Sequence, residues 1–188
     1  AAAVADALKG YSNPIILDPV MVSSSGHRLL SLDAQSILKE RLLPMALLVT
    51  PNIPEMEALT SMPVSTNEEK FNAACYLLSL GVPAVLLKGG HQEGDSKMDI
   101  LYQKSSQGII STTFSSPTVI TSNIHGTGCT LSSAIAAYMA RGLALEEAVG
   151  QAKNYISEAI KAGADVSIGK GYGPVNHLFN PLKMMWPP

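Results

Sequence analysis

The run Asn123-Ile124-His125-Gly126-Thr127-Gly128-Cys129-Thr130-Leu131 places two glycines and a thiol at the mouth of a long apolar segment with helical spacing. Such a turn opening into a helix is an anion site. First-turn amides have no intrahelical acceptor, the helix dipole adds partial positive charge there, and glycines let a phosphate approach the backbone. That chemistry suits phosphoryl transfer. A cysteine in the same first turn is expected to have a lowered pKa, which would let Cys129 serve as a general base toward a hydroxyl. A plain glycine turn followed by a buried cysteine is the competing reading of these nine residues.

Four more polar residues stand where an α/β sheet would bring them to the same place. The apolar runs Ile15-Ile16-Leu17, Ala46-Leu47-Leu48-Val49 and Ala84-Val85-Leu86-Leu87 read as short buried strands. Asp18 follows the first, Asn52 and Glu55 the second, and Lys88 the third. Helical spacing is expected between them over 33–43, from near Pro54, and over 67–80, with the end of a helix at 1–9 and two long helices at 130–141 and 145–162. Around 98–103, 108–114 and 119–121 the β-branched and alternating pattern predicts short antiparallel strands at one edge. Buried strands each followed by a helix indicate a mainly parallel sheet, whose ligands bind beyond the carboxyl ends of the strands. Asp18, Asn52, Glu55, Lys88 and the Gly126 turn therefore converge on one sheet edge.

Composition narrows the partners. The 188 residues are 46% hydrophobic and 5% aromatic, with a formal net charge of −2. No basic stripe or aromatic platform for nucleic acid is visible, and no apolar run nears the ~18 residues of a membrane span. A soluble protein with a small-molecule ligand is expected, with no nucleic acid and no membrane as partners. Cys75 and Cys129 are the two cysteines. Their spacing makes no metal site, Cys75 fits a helical core pattern, and reduced thiols fit a cytoplasmic location. No secretory leader is expected.

The segments Asp18-Pro19-Val20-Met21, Thr50-Pro51-Asn52-Ile53-Pro54-Glu55, Lys88-Gly89-Gly90-His91, 125–136 from His125-Gly126-Thr127-Gly128-Cys129, and Gly169-Lys170-Gly171-Tyr172-Gly173-Pro174-Val175-Asn176-His177 resemble, in order, the hydroxymethylpyrimidine/phosphomethylpyrimidine kinases of bacterial thiamine synthesis. That family is ribokinase-like, and most of its superfamily carries aspartate where this chain has Cys129. The resemblance implies a three-layer α/β/α fold with a mainly parallel sheet and antiparallel edge strands. It also implies one kinase domain over 1–188 that corresponds to the C-terminal two-thirds of the family domain, with the N-terminal third, and part of the alcohol site, absent.

Roles follow residue by residue from the resemblance. Cys129 is the catalytic base and touches substrate, while Gly126, Thr127 and Gly128 with the Cys129 amide receive the charge of the transferred phosphoryl group. Glu55 and Asp18 organise Mg²⁺, with Glu55 acting through water. The competing readings are a helix cap for Glu55 and a turn-stabilising Asp-Pro for Asp18. Lys88 and Asn52 bind the nucleotide phosphates, Val20 lies against the pyrimidine, and Asn154, with Lys153 nearby, approaches the adenine; a solvated lysine after a strand and a solvated helix face are the competing readings of Lys88 and Asn154. His91 and His125 flank the glycine motifs as loop structure. The implied cofactors are ATP and Mg²⁺, and the implied state is a cytoplasmic homodimer. The implied reaction is ATP-dependent phosphorylation of 4-amino-5-hydroxymethyl-2-methylpyrimidine and then of its monophosphate. A pyridoxine or pyridoxal kinase of the same cysteine-bearing branch is the nearest alternative, and a non-catalytic nucleotide- or pyrimidine-binding domain is the other.

Overall fold

A computed structural model describes residues 1–21, 29–89, 94–167 and 169–181. The sequence readings at 23–26, His91 and the 184–188 tail lie outside these residues. The elements are α1 (Ala2–Ala7), β1 (Ile16–Leu17), α2 (Leu32–Ile37), β2 (Leu48–Val49), α3 (Ile53–Thr60), α4 (Asn67–Ser79), β3 (Ala84–Leu87), β4 (Ser96–Ser105), β5 (Gly108–Pro117), α5 (Thr127–Ala140) and α6 (Leu145–Gly163). They form one sheet in the order β1-β2-β3-β4-β5. The first three strands are parallel, and β4 and β5 add antiparallel at the edge.

Alternation along the strands explains the two helical layers, since successive side chains leave a strand on opposite faces. Val49, Val85, Leu87 and Tyr102 pack with Leu38, Met56, Leu59, Ala74, Leu77 and Leu78 from the α2–α4 side. Leu48, Ala84, Leu86 and Leu101 pack with Leu131, Ile135, Ala148, Val149, Ala152 and Ile156 from α5 and α6. The sheet is thus a partition between two hydrophobic cores, and all four β3 residues are buried, as a strand covered on both faces must be. The three-layer α/β/α arrangement agrees with the sequence expectation.

Local sequence sets the element ends. Ser31, Asn52 and Thr66 each accept a first-turn amide at the start of α2, α3 and α4, and Asn52 and Thr66 complete reciprocal capping boxes with Glu55 and Glu69. Beyond α2 the chain widens into a π turn, Leu38–Leu42, and tightens into a 3-10 turn, Leu43–Met45, where Pro44 has no N–H to continue an α-helical ladder. This packs Leu38, Leu42 and Leu43 into one core.

Three expectations need correction. The strand expected at 119–121 is irregular, and Ile120 is 97% exposed, because the ladder ends at the Ser96–Pro117 pair and leaves that segment nothing to pair with. Helix α5 begins at Thr127 rather than Thr130, so Cys129 lies inside the first turn. Cys75 is only half-buried on α4.

Candidate active site

The carboxyl ends of β1, β2 and β3 meet the N-terminus of α5. Asp18 leaves β1, Thr50 leaves β2, and Asn52 pairs with Lys88 in a parallel bridge that extends the β2–β3 ladder. Lys88 Nζ lies 2.8 Å from Asp18 Oδ1 and 3.8 Å from Glu55 Oε2, with only 11% of its side chain exposed. The lysine is therefore held between two carboxylates. Asp18 Oδ1 also accepts from Thr50 Oγ1 at 3.2 Å. Thr50 Oγ1 lies 2.8 Å from Ser132 Oγ, and Ser132 Oγ donates to the Gly128 carbonyl at 3.1 Å. A continuous polar chain thus joins the β1 carboxylate to the first turn of α5.

Glu55 serves two structures at once. Its Oε2 accepts from the Asn52 amide at 2.8 Å while Asn52 Oδ1 accepts from the Glu55 amide at 2.8 Å, closing the capping box of α3. The capping reading of Glu55 is thus realised, and the same carboxylate still faces Lys88. Burial raises the Glu55 pKa above the ordinary range, with Lys88 and the Asn52 amide opposing and Asp18 reinforcing.

At the glycine turn, Gly126 is the N-cap with φ 83°, a left-handed conformation that glycine adopts without the Cβ penalty. No side chain caps this helix. Thr127 N donates to the Ile124 carbonyl and Thr130 N to Gly126 O, so the first-turn amides left for a ligand are those of Gly128 and Cys129. Gly128 matters through space rather than φ. A Cβ there would stand 3.2 Å from Lys88 Nζ and 4.0 Å from Asp18 Oδ2.

The expected depression of the Cys129 pKa is reversed. Cys129 is exposed, yet partial burial of its thiol and the adjacent Asp18 carboxylate push its pKa up, Glu55 adds to this, and Lys88 opposes it. Helix-terminus amides favour a thiolate, but burial of the thiol first and then the neighbouring Asp18 carboxylate disfavour it.

Among the described residues, Asp18 Oδ2 is a buried acceptor with no hydrogen-bond partner. An orphaned carboxylate oxygen beside a second carboxylate is a donor set suited to a hard divalent cation. Asp18 and Glu55 thus fit Mg²⁺.

The other sequence candidates fall differently. Val20 is half-buried just past Asp18, its amide bonded to the Asp18 carbonyl. Asn154 is exposed on α6 and is not drawn into the Asp18–Lys88–Cys129 network, while Lys153 turns inward to a buried ion pair with Asp99. That burial on α6 orients Asn154 away from the interior. His125 is held by its backbone, donating to Gly173 O. His177, which belongs to the glycine-rich segment, places Nε2 2.9 Å from Thr130 Oγ1. It borders an open pocket of about 480 Å³ beside Cys129, together with Ala134, Tyr138 and Tyr155.

Sequence reasoning missed Thr50, Ser132 and Asn123. Asn123 Nδ2 donates to the carbonyls of Gly163 (2.7 Å) and Val166 (2.6 Å), tying the approach to the glycine turn to the end of α6. A Cβ on Gly173 would overlap the Asn123 side-chain oxygen. The signal for Ser132 was its place one turn beyond Gly128, and that for Thr50 its place directly after β2.

Comparison with known proteins identifies the family. The family model described as phosphomethylpyrimidine kinase matches residues 1–176. The chain is 43% identical over 178 residues to a hydroxymethylpyrimidine/phosphomethylpyrimidine kinase of Rhizobium meliloti, covering 94% of this chain and 65% of that one. It is 48% identical over 164 residues to the thiamine biosynthesis bifunctional protein ThiED of Geobacter sulfurreducens, covering 87% of this chain and 32% of that protein. Among solved structures, pyridoxal kinase from Staphylococcus aureus in complex with AMP-PCP superposes with a TM-score of 0.83 at 28% identity, over 96% of this chain and 64% of that one. The chain spans less than two thirds of the length of each of these relatives.

Proposed function

The chain belongs to the phosphomethylpyrimidine kinase family, and from that premise we propose that it carries the phosphoryl-transfer site of an ATP-dependent hydroxymethylpyrimidine/phosphomethylpyrimidine kinase of thiamine synthesis. The observation that carries the proposal is the convergence on the α5 N-terminus of a lysine held by two carboxylates, an unpartnered carboxylate oxygen and the first-turn amides of Gly128 and Cys129.

In this reading ATP is the phosphoryl donor. Lys88 and the amides of Gly128 and Cys129 receive the charge spread over the transferred group, while Gly126 and Thr127 shape the turn. Asn52 holds Glu55 in place near the nucleotide phosphates. Asp18 and Glu55 would hold Mg²⁺, which when bound supplies charge neutralisation to the phosphates. Cys129 takes the hydroxyl proton on Sγ as the substrate oxygen attacks phosphorus. Burial and the Asp18 carboxylate raise the Cys129 pKa in the free protein, which works against the thiolate that this role requires. Val20 contacts the pyrimidine, and Asn154 lies on the adenine side. The proposal includes a single kinase domain over 1–188 and a cytoplasmic homodimer. Among the described residues no helix is long and apolar enough to cross a membrane.

A pyridoxal kinase is the second reading, favoured by the close superposition on the S. aureus enzyme. Mg·ATP-dependent phosphorylation of hydroxymethylpyrimidine, its monophosphate and pyridoxal, assayed side by side, separates them. Turnover of both pyrimidines supports the first reading. Turnover of pyridoxal alone replaces it with the second.

A further inference from the structure

Away from the Asp18–Lys88–Cys129 cluster, a second ion pair is shut inside the protein. Asp99 on β4 and Lys153 on α6 are 3% and 7% exposed, and Lys153 Nζ lies 2.7 Å from Asp99 Oδ2. The other oxygen of the same carboxylate, Oδ1, accepts from the buried Gly89 amide at 2.8 Å. Gly89 is the residue after Lys88.

Burying two charges is poor economy for stability alone, because desolvation offsets most of their attraction and a well-packed apolar pair commonly does as well. The pair does, however, fix a direction. With Oδ2 tied to Lys153, Asp99 aims Oδ1 at the backbone just beyond β3. Register puts it there, because Leu87 pairs with Ile100 in the antiparallel ladder and Asp99 is therefore opposite the residue that follows Leu87. On the other side, Lys88 N donates to the Pro51 carbonyl at 2.8 Å. Both peptide groups flanking the Lys88 Cα are thus clamped, one by the continuation of β2 and one by Asp99.

We propose that Asp99 and Lys153 are positioning residues that lock the Gly89 amide and thereby hold Lys88 where it meets nucleotide phosphates. This rests on the reading of Lys88 as a phosphate-binding lysine. The charge on Lys153 serves to orient Asp99, and α6 is coupled through it to the end of β3. A phosphate ligand pulling on the Lys88 ammonium meets a backbone that cannot yield.

Two double variants of the 188-residue chain separate the positioning role from mere packing. Asp99→Asn with Lys153→Met removes both charges but keeps an acceptor for the Gly89 amide. Asp99→Leu with Lys153→Met also removes both charges and leaves that amide without one. Binding of Mg·AMP-PCP is measured by calorimetry, with thermal melts as the control for folding. Affinity within about threefold of the unmodified chain is expected for the first variant, and at least a tenfold loss for the second at a comparable melting temperature. Equal affinities in the two variants overturn the proposal. Lys88→Met in the same assay tests the underlying reading separately. If it binds as tightly as the unmodified chain, or if the unmodified chain does not bind, the phosphate role of Lys88 falls and the positioning role with it. Should the leucine variant not fold, hydrogen exchange at Gly89 in the unmodified chain decides: protection comparable to β3 amides supports the clamp, and exchange at loop rates refutes it.

Discussion

Gly128→Ala should separate stability from phosphate binding. Gly128 is the second residue of α5, and replacing a helical glycine with alanine stabilises by at most about 1 kcal/mol. Against this stands one tight contact, because the new methyl would sit 3.2 Å from Lys88 Nζ, which is itself held 2.8 Å from Asp18. The ammonium must give by a few tenths of an ångström against its ion pairs, which offsets the helical gain, so the net change in stability stays within about 1 kcal/mol either way, a shift in melting temperature of no more than about 4 °C for a chain of this size. A phosphate has no such latitude. The methyl fills the space between the Gly128 amide and Lys88, and loss of one charge-assisted contact costs about 1.5–3 kcal/mol, or about 10- to 150-fold in affinity. Calorimetric titration with Mg·ADP alongside thermal melts reads both quantities. Undiminished affinity in a folded Gly128→Ala protein would refute the placement of the anion site. Gly126→Ala is the counterpart: nothing lies within 4 Å of its Cβ, but φ is 83°, so it should destabilise by about 1–2 kcal/mol without crowding the site.

Alkylation of Cys129 by iodoacetamide should show a pH midpoint above that of an ordinary thiol, and Asp18→Asn should move it down, since the Asp18 carboxylate helps to hold it up; a midpoint indifferent to Asp18→Asn contradicts the assignment. Glu55→Gln keeps an acceptor for the Asn52 amide while removing a carboxyl whose folded pKa is raised by burial. The native Glu55 therefore contributes stability that is full below the ordinary glutamate range near ~4.3 and lost as pH rises through its folded value, so the variant should gain on the unmodified chain in urea melts at neutral pH and show no gain in acid. Asn123→Ala strands the Gly163 and Val166 carbonyls and should cost about 2 kcal/mol in chemical unfolding. Cys129→Ala should slow phosphorylation of the alcohol more than that of the monophosphate, whose ionised oxygen needs no base; equal losses in the two steps would remove Cys129 from that role.

Much of the fold was legible because its signals are local. The run 84–87 is apolar at every position and becomes a strand buried on both faces, and the caps at Asn52 and Thr66 are written as Asn-x-x-Glu and Thr-x-x-Glu. Asp18, Glu55 and Lys88 could be gathered from sequence because each directly follows a strand or caps the next helix. What escaped depends on register or on the sum of several fields. Asp99 reaches Gly89 only through the β3–β4 pairing, and Lys153 meets it only through the facing of α6, so the ion pair has no signature in spacing. The sign of the Cys129 shift was misread because the amides of its own turn are visible in sequence, whereas its burial is a product of the fold and the Asp18 carboxylate comes from 111 positions away. Asn154 entered through the resemblance alone, with a solvated helix face as its competing reading, and it is exposed on α6 beside the buried Lys153.

The double duty of Glu55 bears on how activity is inferred across descendants of this fold. A carboxylate that closes the cap of α3 is retained by selection for folding even after phosphoryl transfer has been lost, so its survival in a related chain says little about turnover. Cys129 is an exposed residue, and its side chain closes no cap of α5. A decayed copy would be free to shed it first, which makes position 129, not position 55, the one to inspect when deciding whether a relative still works as a kinase.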